Sequence, residues 1–186
     1  MVPAMRDAVQ ERGLNHLCVW ANQKGAKGKA VEIGAYGGEG TVIFAKYFKE
    51  VVSIDPWLNG YDKDDVASHQ SPMKWVFSAW RERTKDLDHV RCIRTTSKDA
   101  IVYFEDESLD FVYVDGDHRY EGVKSDLELY RPKLKKGGIM AGHDLSFNAV
   151  QQALRDVFGE KTELPSSRAI IGGLYYEKIK SVSGFP

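Results

Sequence analysis

The feature that most constrains this 186-residue chain is a regular alternation of strand-length apolar runs with longer amphipathic stretches. Ala30–Val31–Glu32–Ile33, Val51–Val52–Ser53–Ile54, Val90–Arg91–Cys92–Ile93, Phe111–Val112–Tyr113–Val114 and Ile139–Met140–Ala141 are rich in β-formers, and each runs into Gly, Asp, Pro, Thr or His. Runs this short and this apolar are those of strands buried on both faces. Helical patterns lie between them, over residues 38–47, 73–85, 98–104, 120–130 and 147–158. Helices that alternate with strands are right-handed crossovers, so the strands form a parallel sheet covered on both sides. After the last helix, Glu163–Leu164 and the run from Gly173 to Ile179, joined by Pro165–Ser166–Ser167, read as two short antiparallel strands. The expected fold is α/β: a doubly wound, mostly parallel seven-stranded sheet with a C-terminal antiparallel hairpin.

A chain of this length is expected to be one domain, residues 1–186, with a full core that needs no metal or disulfide staple. Residues 1–27, with Val9, Leu14, Leu17 and Trp20 at noisy helical spacing around Gly13, are expected to form a helical cap over one sheet edge or over a ligand. The stretch 56–72 breaks the rhythm with Asn59–Gly60, Ser68, Ser71 and the aromatics Trp57 and Tyr61. It reads as a lid loop over a binding site, against the plainer reading of a solvated insertion. Lys and Arg number 26 against 27 Asp and Glu, which argues against a dedicated nucleic-acid binder. Nothing approaches the ~18 apolar residues of a membrane span, so no membrane partner is expected. Cys18 and Cys92 sit in apolar surroundings without Cys-x-x-Cys company, so they are expected to be buried free thiols in the cytoplasm.

The first strand runs directly into Glu32-Ile-Gly34-Ala-Tyr36-Gly37-Gly38-Glu-Gly40-Thr41 and then a helix. Gly34 and Gly38 let the backbone turn tightly and approach a ligand, and the helix start offers unpaired N–H groups. The second strand ends at Asp55, 21 residues after Gly34. A carboxylate emerging there, beside the glycine turn, can accept two hydrogen bonds from a ribose diol, and the two features together point to an adenosine-bearing ligand.

A dinucleotide Gly-x-Gly-x-x-Gly pattern fits poorly, since Tyr36 stands where the second glycine belongs. Glu32-x-Gly34-x-x-x-Gly38 resembles the first motif of class I S-adenosylmethionine-dependent methyltransferases, and Asp55 matches their ribose-binding acid. The resemblance implies a Rossmann-like fold with S-adenosylmethionine as cofactor. It also implies cofactor-binding roles for Glu32, Gly34, Tyr36, Gly38, Asp55 and Trp57, with Glu32 under the loop near the amino-acid end. Thr96–Ser97–Lys98–Asp99 opens a helix where that family contacts adenine; Ser97 is equally a good helix cap.

The fourth strand delivers Asp115-Gly116-Asp117-His118-Arg119-Tyr120 and the fifth Gly142-His143-Asp144 to the same sheet edge. Asp115 would face the cofactor across the switch point of the strand order. Adjacent parallel strands lie ~4.8 Å apart, so carboxylates at their ends can share one cation or one hydroxyl; Asp115 and Asp144 can equally be bland ion-paired groups. The stretch from Phe111 to Leu145, with Pro132-Lys-Leu-Lys-Lys-Gly-Gly138 between those motifs, resembles small O-methyltransferases of the macrolide sugar type, and the likeness spans about residues 28–145. It implies Asp115 and His118 as catalytic residues, His118 as base, with Asp115, Asp144 and His143 at the place of a divalent cation, magnesium or manganese. His143 departs from the acidic residue that metal-using relatives carry. Since residues 143 and 144 are consecutive, an extended strand would turn Asp144 inward and His143 outward.

The function this implies is methylation of a small hydroxylated acceptor, a sugar or a phenol, with or without metal assistance. Two alternatives differ in class: a non-catalytic S-adenosylmethionine-binding or partner-binding module, and an NAD or nucleotide-sugar Rossmann enzyme. Trp57, Tyr61, Trp75, Trp80, Tyr175 and Tyr176 are candidates to line an aromatic pocket, although aromatics at helical spacing are commonly core. With so short a segment before the first strand, a homodimer partner is expected to complete the acceptor pocket.

Overall fold

A computed structural model describes residues 5–60 and 66–159, together with the backbone of 175–178. Its sheet is built from β1 (Lys29–Ile33), β2 (Glu50–Ile54), β3 (Val90–Ile93), β4 (Leu109–Val114), β5 (Leu134–Gly142) and β6 (Tyr175–Lys178). The helices are α1 (Ala8–Gln23), α2 (Glu39–Phe44), α3 (Met73–Thr84), α4 (Ser97–Ala100), α5 (Tyr120–Tyr130) and α6 (Asn148–Phe158). The strand order is β3-β2-β1-β4-β5-β6. The pairs from β3 through β5 are parallel, and β6 lies antiparallel to β5.

The expected seven strands are corrected here to six among the described residues, five parallel and one antiparallel. β6 covers the outer edge of β5, which would otherwise present unpaired backbone groups. The other arm expected for the hairpin, at 163–164, and its turn at 165–167 lie outside the described residues, as does Tyr61. No helix among the described residues is long and apolar enough to cross a membrane.

Side-chain alternation along each strand sorts the core into two layers. Phe111 and Tyr113 of β4 pack with Ala30, Val51 and Ile139 against Leu14, Leu17 and Cys18 of α1 and Phe44 of α2. Val112 and Val114 point the other way, with Val31, Ile33, Val52 and Met140, onto Val123 and Leu127 of α5 and Val150 and Leu154 of α6. Each fully buried side chain of this kind contributes about 1.5–3 kcal/mol. Apolar spacing of i, i+4 and i+7 in α5 (Val123, Leu127, Tyr130) and i, i+3 and i+4 in α6 (Val150, Ala153, Leu154) is what lets these helices lie flat on the sheet. Cys18 is buried in the first layer, whereas Cys92 is only half-buried, contrary to the expectation of two buried thiols; β3 is an edge strand with partly open faces.

The strand order reverses between β1 and β4, so the loops leaving these two neighbours part to opposite sides and open a crevice at their C-terminal ends. That crevice is where the glycine turn, Asp115 and Asp144 come together.

Candidate active site at the switch point

The turn after β1 is held in a conformation that needs its glycines. Gly34 and Gly38 both have φ of +86°, and Tyr36 joins them at +44°. A Cβ on Gly34 would lie 2.1 Å from the Asp115 carbonyl oxygen, so the β1 and β4 loops touch backbone to backbone. A Cβ on Gly38 would meet the Trp80 indole at 3.0 Å. Left-handed backbone costs a residue with a Cβ about 1–2 kcal/mol. Gly38→Ala is therefore expected to lower the melting temperature by about 2–8 °C, given 2–4 °C per kcal/mol for a domain of this size. Thermal denaturation followed by circular dichroism checks it.

Under the loop, Glu32 is 1% exposed. Its Oε2 accepts hydrogen bonds from Thr41 Oγ1 at 2.5 Å and Ser53 Oγ at 2.9 Å, tying β1 to α2 and β2. Burial pushes its carboxyl up to about 7 against those two bonds. Trp80 Nε1 donates to the same Thr41 hydroxyl at 3.1 Å, and Arg83 Nη1 donates to the Gly37 carbonyl at 2.5 Å. The network explains the loop's fixity: a buried acid with satisfied donors, clamped from outside by α3.

Asp55 stands at the end of β2 with its carboxylate held by backbone amides of the glycine turn and of the segment after β2. Tyr36 N donates to Oδ2 at 2.9 Å and Trp57 N to Oδ1 at 2.7 Å. Burial raises its pKa and the backbone bonds oppose the rise.

At the β4 and β5 ends, four ionisable side chains and an arginine form one cluster. Arg6, from the segment before α1, is ion-paired through Nη2 with Asp115 Oδ2. Asp115 Oδ1 lies 3.9 Å from His118 Nε2 and 3.8 Å from His143 Nδ1. Asp144 Oδ2 lies 2.8 Å from His118 Nε2, and its Oδ1 lies 3.0 Å from His143 Nδ1. Burial alone would lower the His118 pKa; Asp115 and Asp144 outweigh it and push the imidazole up to about 10. His143 is raised in the same way, against burial, by Asp144 and Asp115. Burial works against a charged Asp144, yet His118 and His143 hold it well below the usual carboxylate range.

These groups line a single cleft of about 290 Å³ that runs from Asp55 past Gly34–Gly37 to Asp115, His118, His143 and Asp144, with Arg6 and Phe147 along its walls. Several sequence assignments change here. His143 was expected to point outward, but Asp144 has φ of +61°, so the chain turns instead of continuing extended and both side chains face the cleft. Asp115, His118 and Asp144 present ligand atoms all within 4.8 Å of one another. His143 is not in that metal-spaced group, because its ring is turned onto Asp144 and toward the Gln10 amide, 3.5 Å away.

Trp57 does not line the cleft: it is 3% exposed, packs on Phe77 and Trp80, and its Nε1 donates to the Tyr36 carbonyl at 2.9 Å. Its support of the loop is indirect, as is that of Glu32. Trp80 is likewise core, and Trp75 is 58% exposed. Ser97 is neither the helix cap, which is Thr96, nor a cleft residue; its Oγ donates to Asp126 Oδ1 at 2.5 Å. Arg6, Gln10 and Phe147 were missed, since no local pattern marks them. The described part of the expected lid meets the cleft at Ala67, and Gln70 Nε2 donates to the Tyr36 hydroxyl at 3.0 Å.

A mostly parallel α/β sheet with a glycine turn, a carboxylate on the adjacent strand end and a carboxylate–imidazole cluster in one cleft at its switch point defines the doubly wound class of α/β protein. A family model described as "Methyltransferase domain" matches residues 31–145, and the chain belongs to that family. Among solved structures, the O-methyltransferase NovP superposes with a TM-score of 0.73 at 18% identity, over 96% of this chain and 82% of that one. The O-methyltransferase TomG from Streptomyces achromogenes, solved with S-adenosylmethionine, gives 0.66 at 11% identity, over 97% and 84%. An uncharacterized protein of Acanthamoeba polyphaga mimivirus is 26% identical over 61% of this chain. The chain spans no more than half the length of the curated relatives it matches.

Proposed function

We propose that the chain transfers a methyl group from S-adenosylmethionine to a hydroxyl oxygen of a small acceptor, a sugar or a phenol. The observation that carries this reading is the Asp115–His118–Asp144 cluster in the same cleft as Asp55 and the Gly34 turn. In-line displacement at a sulfonium is above all a matter of alignment, and a fixed ribose site sets the donor's position. A hydroxyl acceptor also needs its proton removed. The neutral form of His118, its ring held by Asp144 2.8 Å from Nε2, is the group in the cleft suited to take that proton. Asp115 and Asp144 raise the His118 pKa, which strengthens its neutral form as a base toward a weakly acidic hydroxyl. The Phe147 ring, 5.9 Å from the His118 ring, offers an apolar wall for an aromatic ring or a sugar face.

A second reading is favoured by the donor set. Two carboxylates and an imidazole with ligand atoms within 4.8 Å, from Asp115, His118 and Asp144, would hold a divalent cation, manganese more readily than magnesium because of the imidazole donor. When bound, such an ion supplies Lewis acidity that raises the acidity of an acceptor hydroxyl.

The test is formation of S-adenosylhomocysteine with a panel of phenols and sugars, before and after exhaustive chelation. Activity that persists after chelation removes the cation and leaves His118 as the base to be tested by substitution. Loss on chelation with recovery on adding manganese assigns the cation. Binding of S-adenosylhomocysteine without turnover of any acceptor would make this a non-catalytic cofactor-binding module, and binding of NAD in its place would make it a different Rossmann enzyme.

A further inference from the structure

Arg6 is unused by the mechanism above, yet it lines the cleft at the Asp115 end with a side chain only 10% exposed. Its backbone is fixed from both sides. Met5 N and Arg6 N donate to Glu39 Oε2 at 2.9 and 3.0 Å, and the next residue, Asp7, caps α1 with a reciprocal capping box. Glu39 is in turn held at 3.5 Å by Arg83, the residue that also bonds the Gly37 carbonyl. The segment carrying Arg6 is thus tethered to the start of α2, beside the glycine turn.

The guanidinium lies 5.7 Å over the Tyr113 ring, and its Nη2 pairs with one oxygen of Asp115. A guanidinium has five N–H donors in a planar fork, so pairing with one carboxylate oxygen leaves capacity for a second carboxylate. The same cleft joins Asp55, the Gly34 turn and the end of β4, so a cofactor with its ribose on Asp55 would extend its amino-acid half toward Asp115 and Arg6. A cation and an anion stand there side by side, Arg6 and Asp115. That arrangement is complementary to an α-amino acid, which carries an ammonium and a carboxylate on one carbon.

We propose that Arg6 clamps the α-carboxylate of the cofactor's amino-acid half while Asp115 takes its α-ammonium group; this rests on the reading of the cleft as the S-adenosylmethionine site. The role is one of binding and alignment. It fixes the tail of the methyl donor, and hence the sulfonium, against the His118 end of the cleft.

Calorimetry with two ligands tests it: S-adenosylhomocysteine, and its decarboxylated analogue, which lacks only the carboxylate. The wild type is expected to prefer S-adenosylhomocysteine by roughly 10–100-fold, the span of a charge-assisted hydrogen bond. Arg6→Gln should erase that preference, weakening S-adenosylhomocysteine by more than it changes the analogue. Arg6→Lys should restore part of it, since an ammonium keeps the charge and loses the fork. Equal weakening of both ligands by Arg6→Gln would mean that Arg6 acts only by placing Asp115, and would overturn the proposal. Undiminished preference in Arg6→Gln would overturn it too. A wild type that binds neither ligand would overturn the cofactor reading itself, and the clamp with it.

Discussion

Replacing His118 by alanine is expected to lower the rate of methyl transfer about 10²–10⁴-fold while leaving affinity for S-adenosylhomocysteine nearly unchanged. The separation of effects follows from geometry. His118 lies at the β4 and β5 ends, 2.8 Å from Asp144, whereas the ribose acid and the glycine turn belong to β1 and β2. A pH profile carries a second readout. With its imidazole pushed up to about 10 by Asp115 and Asp144 against burial, His118 must lose a proton before it acts as a base. The rate of the chelator-treated wild type should therefore climb with pH toward about 10, the alanine variant should lack that limb, and Asp144→Asn should move it to lower pH. Stability runs the opposite way. The folded-state value lies above the ~6.5 of an unfolded-chain histidine, so the stabilisation from these ion pairs is complete below ~6.5 and is lost as pH rises through about 10. A wild-type rate that is flat across this range, or an alanine variant with full activity, would leave alignment as the whole of catalysis.

Asp55→Ala is expected to weaken cofactor binding by about 10²–10⁴-fold, since two hydrogen bonds from a ribose diol to a charged acceptor are worth about 1.5–3 kcal/mol each. The carboxylate is oriented for this: backbone amides, among them those of Tyr36 on Oδ2 and Trp57 on Oδ1, fix its plane at the cleft wall. Alanine removes the acceptors expected for the ribose and also leaves the backbone amides that Asp55 holds unpaired, so the glycine turn loosens as well. Asp55→Asn separates the two effects. It keeps one acceptor oxygen and the side-chain volume, and should fall between wild type and alanine. Calorimetric titration with S-adenosylhomocysteine measures all three, and a loss of less than about tenfold in the alanine variant would remove Asp55 from the ribose site.

The order of strands and helices was legible in the sequence because burial on both faces imposes continuous apolar runs and crossover helices impose a 3.6-residue period. Both are local consequences of neighbouring residues. The glycine turn and Asp55 were legible for a related reason: a left-handed turn after a strand demands residues without a Cβ, and a carboxylate at the end of the adjacent strand falls beside it. What the residues facing the cleft do was less legible. Whether His143 faces the cleft turns on a single dihedral, the +61° of Asp144, which no periodicity encodes. Trp57 follows Asp55 in the chain, but two rings of α3, Phe77 and Trp80, pack on it beneath the loop and keep it out of the cleft.

Arg6 shows the limit best. Its partner Asp115 is 109 residues away, and the ion pair exists only because α1 packs on the sheet and Glu39 holds the segment before it. Local chemistry determined the elements and the glycine turn after the first strand. The charge pattern of the cleft was decided by tertiary packing, because an ion pair depends on distance in space and the sequence orders residues only along the chain.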